Sequence, residues 1–182
     1  MFSWIKVKKF LYVAFVLLAM TAILGGCDSD PDPEFPITGT FAPYYLIGKW
    51  VDPAFLDGYE ITLGLDVHYI TQFSPDFEWE GVVYPGSTKG GIIRSVTQFT
   101  FDSGVIIYEY TENAPVAGNP FTAIYYKDFN FTNFSAKMST VIGPAPGYAN
   151  VDVATLEEAI AKFTLDTTGD YIGFWGGPYV KQ

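Results

Sequence analysis

From residue 48 onward, apolar and polar positions alternate over short stretches parted by Gly, Pro, Asn and Asp, the period of half-buried strands. Gly48–Val51 predicts a first strand, Asp57-Gly58 a turn, and Tyr59 to Leu63 a second strand that Gly64 ends. Val67 to Phe73 and Phe77 to Tyr84 predict the next two strands, parted by Ser74-Pro75-Asp76, before Pro85-Gly86-Ser87 breaks the chain. Ile92 to Phe101 predicts a longer strand with Ile93, Ser95, Thr97, Phe99 and Phe101 on one face and Ile92, Arg94, Val96, Gln98 and Thr100 on the other. Asp102-Ser103-Gly104 turns it back as a hairpin into Val105–Tyr110. Beyond a loop at 113–120, Phe121 to Phe131 and Phe134 to Val141 predict two further strands, and Tyr171 to Trp175 a closing one.

A single segment carries the helical period. Leu156, Ala159, Ile160 and Phe163 form one stripe, and Thr155 with Glu158 reads as a capping box at its start. The helix should fray by Asp166-Thr167-Thr168-Gly169. Eight or nine strands at hairpin spacing, with one short helix before the last, predict an all-β fold built as a single antiparallel barrel. A β-sandwich is the alternative.

The start of the chain has a different pattern. Lys6, Lys8 and Lys9 precede an apolar run from Phe10 to Leu24, followed by Gly25, Gly26 and the single cysteine, Cys27. The run of about 15 residues is shorter than the roughly 20 a membrane span needs, and reads as a secretory signal. Leu24-Gly25-Gly26-Cys27 resembles the lipobox of bacterial lipoprotein signals. That resemblance implies cleavage before Cys27 and a thioether-linked diacylglycerol on it, usually with an amide-linked acyl chain such as palmitate. The expected organisation is a signal peptide at 1–26, a lipidated Cys with an acidic, Pro-rich linker at 27–37, and a barrel domain at 38–182. Residues 28–36 repel one another and are stiffened by proline; at about 3.1 Å per residue they span roughly 25–30 Å. Asp28, Asp30 and Asp32 do not make an EF-hand loop, since Pro33 stands where Gly is required and Gly39 where the last Glu would be. Asp28, directly after the Cys, matches a pattern that opposes outer-membrane transfer in enterobacteria; the leaflet stays open.

Charge narrows the partners. The chain has 10 basic and 20 acidic residues, and loss of residues 1–26 leaves seven against twenty, a net charge of −13. Such a surface repels phosphate backbones, so nucleic acid is not an expected partner. The expected partners are the bilayer through acylated Cys27, and either a small hydrophobic ligand or an envelope protein. No cofactor is expected beyond the covalent lipid.

Gly48-Lys49-Trp50 is similar to the Gly-x-Trp near the first strand of lipocalin and related calycin barrels. The resemblance implies that Trp50 plugs the closed end of a barrel and that the helix at 155–163 covers it; read from the residues alone, Trp50 is a core aromatic. An eight-stranded barrel is either filled by side chains or holds one small ligand. Trp50, Phe99, Phe101, Ile107, Phe129 and Phe131 are the expected lining, and Tyr44, Tyr45, Tyr108, Tyr110, Tyr125 and Tyr126 could frame a mouth or a partner-binding face.

Catalytic patterns are sparse. His68 is the single imidazole, and neither a Gly-x-Ser-x-Gly elbow, a His-Glu-x-x-His pair nor a phosphate-binding Gly loop occurs. Glu78 and Glu80 flank Trp79 and, on one strand face, would stand about 7 Å apart, a spacing near those of glycosidase carboxylates; as ordinary strand residues they are simply solvated. Asp166 and Asp170 could approach a calcium ion or sit in a solvated turn. The expectation is therefore a non-enzymatic, lipid-anchored protein of the bacterial cell envelope binding a small apolar or amphipathic ligand. The alternatives are a protein-interaction module with an exposed aromatic face and an envelope hydrolase acting on glycans.

Overall fold

The computed structural model describes residues 37–40, 42–112, 114–143, 149–172 and 176–182; the lipobox and the signal lie outside them. The strands are β1 (Ile37–Gly39), β2 (Gly48–Val51), β3 (Gly58–Leu63), β4 (His68–Ser74), β5 (Phe77–Trp79), β6 (Val82–Tyr84), β7 (Ser87–Thr100), β8 (Ser103–Glu112), β9 (Phe121–Asn130), β10 (Ser135–Thr140) and β11 (Gly176–Lys181). A 3-10 turn at Tyr44–Leu46 precedes β2, and helices α1 (Leu156–Lys162) and α2 (Thr168–Tyr171) precede β11. Eight of these strands close an antiparallel barrel in the order β2-β3-β4-β7-β8-β9-β10-β11, with Lys181 pairing with Trp50 to return the last strand to the first. Closure removes the sheet edges that an open sandwich would expose.

β7 is long enough to pair with β4 along Ser87–Ile92 and with β1 along Val96–Gln98, so β1 lies outside the ring of eight. β5 and β6 form a separate hairpin between β4 and β7. The single strand expected over Phe77 to Tyr84 is thus a two-stranded arm, bent at Glu80 and Gly81, which both have positive φ (51° and 78°). Asp76 Oδ1 accepts the Gly86 N–H at 2.5 Å and holds the neck of the arm.

The expected faces of β7 hold only in part. A bulge against β8 between Ile93 and Ser95 resets the alternation, so Ile93 and Val96 both belong to the interior cluster. A second irregularity falls at Gly90 and Gly91, where a Cβ on Gly91 would lie 1.8 Å from the Glu109 carbonyl oxygen. Only glycine allows that approach.

Two apolar clusters divide the molecule. Interior side chains from the eight strands, Trp50, Ile61, Ile70, Ile106, Ile124 and Met138 among them, fill the barrel. Each such aliphatic residue contributes about 1.5–3 kcal/mol on burial. A second cluster lies on the outer wall of β8 and β9, where Val105, Ile107, Ala123 and Tyr125 meet Ala159 and Phe163 of α1 and its flank. The expected capping box is present: Glu158 N–H donates to Thr155 Oγ1 at 3.2 Å, and Thr155 N–H donates to Glu158 Oε2 at 3.2 Å. The helix therefore covers the wall, not an end, and Ile160 of the expected stripe is exposed. Tyr171 ends α2 rather than opening a strand, the rest of the expected strand at 173–175 lies outside the described residues, and the closing strand runs over Gly176–Lys181.

Candidate functional site

The two ends of the barrel differ. At one pole the Trp50 indole is fully buried, its Nε1–H donating to the Leu46 carbonyl at 2.7 Å, with Phe129 at 5.5 Å and the Lys181 ammonium 5.9 Å above the ring. Lys181 Nζ also donates to the Tyr45 carbonyl at 3.2 Å. Tyr45 and Phe131 complete this plug, and the Tyr45 hydroxyl accepts a hydrogen bond from Gln98 Nε2. Gly48 opens β2 here with φ of 125°, a conformation that glycine takes without strain. The cation over Trp50 thus comes from the closing strand, whereas Arg94 lies mid-wall and pairs with Glu109 at 2.8 Å.

At the opposite pole the barrel opens into a cup of about 390 Å³, within the range of small-molecule sites. Tyr59 of β3, Gln72 of β4, Lys89 of β7, Tyr110 of β8, Thr122 of β9 and Tyr179 of β11 contribute to its lining, with Asp57 and Asp152 from the loops. Alternation explains the convergence: Ile106, Tyr108 and Tyr110 share the inward face of β8, so the filling changes from aliphatic to phenolic along a single strand. Tyr59 and Tyr179 meet edge to face at 5.2 Å, as do Tyr108 and Tyr110. The Tyr59 hydroxyl lies 3.2 Å from Thr140 Oγ1, which donates to Gln72 Oε1 at 3.2 Å.

Other polar atoms here lack a well-formed hydrogen bond. Thr122 Oγ1 and Asp57 Oδ1 in the lining, and the Tyr108 and Tyr126 hydroxyls outside it, are buried with no hydrogen bond of ordinary geometry among the described residues, although the Tyr110 hydroxyl approaches Thr122. Thr122 and Tyr108 are themselves 0% and 1% exposed, and an unmet buried polar group costs about 1–3 kcal/mol. The Tyr110 hydroxyl is close enough to Tyr108 to disfavour its ionisation, yet no hydrogen bond of ordinary geometry joins them. Burial raises the pKa of all four of these tyrosines, Tyr59, Tyr108, Tyr110 and Tyr179, and the nearby Asp57, Asp52 and Asp152 add to the effect. The phenols therefore stay protonated, able to donate as well as accept. Burial, and then Asp52, raise the pKa of Asp57. Asp152 is buried and accepts from Asn150 Nδ2 at 2.9 Å.

The structure separates the residues expected to line a cavity. Trp50 and Phe129 are packed into the closed pole, with Phe131 half-exposed against them. Phe101 is exposed on the outside, stacked on Phe131 at 6.4 Å. Ile107 and Phe99 lie on the outer wall in the cluster beneath α1, because the β7 bulge and the parity of β8 turn them outward. None of the six lines the cup; Phe99 instead borders a shallower hollow of about 260 Å³ with Tyr125 and Leu165. The expected tyrosine face is also redistributed: Tyr45, Tyr108, Tyr110, Tyr125 and Tyr126 are buried, and Tyr44 alone of that set is exposed.

His68 is buried, and its Nδ1 accepts the Ala42 N–H at 3.1 Å, binding the segment before the 3-10 turn to β4. Glu78 lies on β5 while Glu80 occupies the turn, so the two carboxylates do not share a strand face; both are exposed. Asp166 sits in a turn and Asp170 in α2, and among the described residues no three His, Cys, Asp or Glu side chains gather as metal ligands. The arm presents Phe77, Trp79, Val82, Val83 and Tyr84 to solvent, with Phe77 stacked on Tyr84 at 4.8 Å. Comparison with protein-family models, curated proteins and solved structures returns no match.

Proposed function

We propose that this protein is a lipid-anchored lipoprotein of the bacterial cell envelope whose barrel binds a small amphipathic molecule without chemistry. The observation that carries this reading is the cup at the open pole, where phenol rings and buried polar atoms without well-formed hydrogen bonds surround a space of ligand size. A barrel serving only as a scaffold gains nothing from leaving Thr122 and Asp57, both in the cup lining, without a hydrogen bond of ordinary geometry. Polarity also distinguishes the ligand from a plain hydrocarbon, since an aliphatic chain would leave those groups unmet.

β1 pairs beside Gln98, whose amide reaches Tyr45, so the chain joins the barrel at the closed pole while the cup opens at the other. Replacing Cys27 with Ser should move the protein from the membrane to the soluble fraction; unchanged membrane retention would sink the anchor. The ligand is tested by native mass spectrometry of the intact chain, isolated gently from its host in detergent, before and after organic extraction. A discrete extractable mass supports the reading and a bare polypeptide overturns it.

The solvent-facing arm favours a second reading, an interaction module that meets an envelope protein through Phe77, Trp79 and Tyr84. Photo-crosslinking from position 79 in cells would return one discrete adduct on this reading and none on the first.

A further inference from the structure

We propose that the ligand of the cup is a small organic cation, an amine whose ammonium group meets the Asp57 carboxylate while its carbon body lies against Tyr59, Tyr110 and Tyr179. This rests on the cup being a binding site and names its chemical class.

Charge comes first. Asp57 and Asp152 lie in the lining and Asp52 directly behind, against the single ammonium of Lys89 among the described lining residues. The three carboxylates are not equivalent. Asp152 is held by Asn150, and Asp52 Oδ1 accepts the Ala54 N–H at 2.8 Å. Asp57 Oδ1 is buried with no hydrogen bond of ordinary geometry, its own N–H lying near the carboxylate without satisfying it, so it is the carboxylate oxygen left for a ligand. An ammonium group carries three donors and a full charge, and relieves both the missing hydrogen bond and the repulsion from Asp52.

Thr122 points to a ligand independently of the carboxylates. Its hydroxyl is fully buried in the cup wall, where the Tyr110 hydroxyl approaches it without a hydrogen bond of ordinary geometry, and it can accept from a second donor on the same molecule. The phenol rings supply the third element. Aromatic faces attract cations, and desolvation strengthens that attraction. An anionic ligand would meet the carboxylates at short range with only Lys89 to offset them.

The test uses three probes with one aromatic body and different charge: 2-phenylethylammonium, 2-phenylethanol and 3-phenylpropionate. Each is titrated into the full chain in maltoside micelles and followed by calorimetry and NMR shifts. The amine should bind at least about tenfold more tightly than the other two, a difference of about 1.4 kcal/mol, with shifts at Tyr59, Thr122 and Tyr179. Asp57→Asn should abolish that preference, and Asp152→Asn should reduce it less. Equal affinities, tightest binding of the carboxylate, or a preference that survives in Asp57→Asn would each overturn the inference. If none of the probes binds while the isolated protein retains an extractable mass, the amine assignment fails and the binding cup stands. If neither is seen, both fail.

Discussion

Trp50 shows how one residue can close a barrel. Its ring is buried on every side and its single polar atom is met by the Leu46 carbonyl, so neither desolvation nor shape opposes its placement. Trp50→Ala should cost about 3–5 kcal/mol, measured by urea unfolding; a loss below 1 kcal/mol would show that the pole is not a packed plug. Asp57 behaves in the opposite sense. Its pKa lies above the ordinary 3.8, so its contribution to stability is fully present below that value and is lost as pH rises through the raised one. Asp57→Asn, free of this titration, should therefore match or exceed the wild type in thermal stability at neutral pH, with the advantage disappearing in acid. Residues of this kind are hard to read in sequence. Trp50 stands in a recognisable Gly-x-Trp, whereas Asp57 looks like half of an Asp-Gly turn and only the fold reveals its buried oxygen.

At the scale of elements, legibility followed the strength of local chemistry. The capping box was visible because both partners lie three residues apart, and the helix forms there. Thr155→Ala should remove about 1 kcal/mol and loosen α1 from the wall formed by Val105 and Tyr125, an effect visible as faster amide exchange in 156–163. The β7 faces are not legible in the sequence because a bulge has no fixed sequence mark: one extra residue near Arg94 reverses the side on which Phe99 lies. The β5–β6 arm resembles one strand in sequence for a related reason. Its turn uses Glu80-Gly81, and glutamate is a weak hairpin signal beside Asn-Gly or Asp-Gly. The closing strand was displaced past α2, since Tyr171 and Ile172 have strand-like composition yet pack with Val141 and Phe163 in the outer cluster.

For the whole molecule, alternation and turn spacing point to an antiparallel barrel of eight or nine strands over a sandwich, because closure is the way such a set of strands loses its edges, and the structure closes eight of them. The cup was not legible. Its lining residues come from seven strands and three loops, and the longest unbroken run among them is Met138 to Ile142. The inward run Ile106, Tyr108, Tyr110 was the available clue. Burial of tyrosine also has a consequence for the entire fold. Seven tyrosines, at 45, 59, 108, 110, 125, 126 and 179, have pKa values raised by burial. Unfolded tyrosines ionise near pH 10, so the stability these groups confer is fully present below that pH and falls as pH rises above it. Alkaline titration followed at the phenolate absorbance should show most tyrosines ionising together with unfolding. A gradual titration of all thirteen near pH 10, in a protein that stays folded, would contradict this burial.

The central claim is that the open pole, and not the plugged one, holds a small molecule. Amide hydrogen exchange, compared between the protein as isolated and the same protein refolded free of small molecules, tests it most directly. The account predicts slower exchange in the isolated protein around Thr122 on β9, Met138–Thr140 on β10 and Tyr59 on β3, with no change around Trp50 and Phe129. Identical exchange at the open pole, or protection confined to the closed pole, would contradict it.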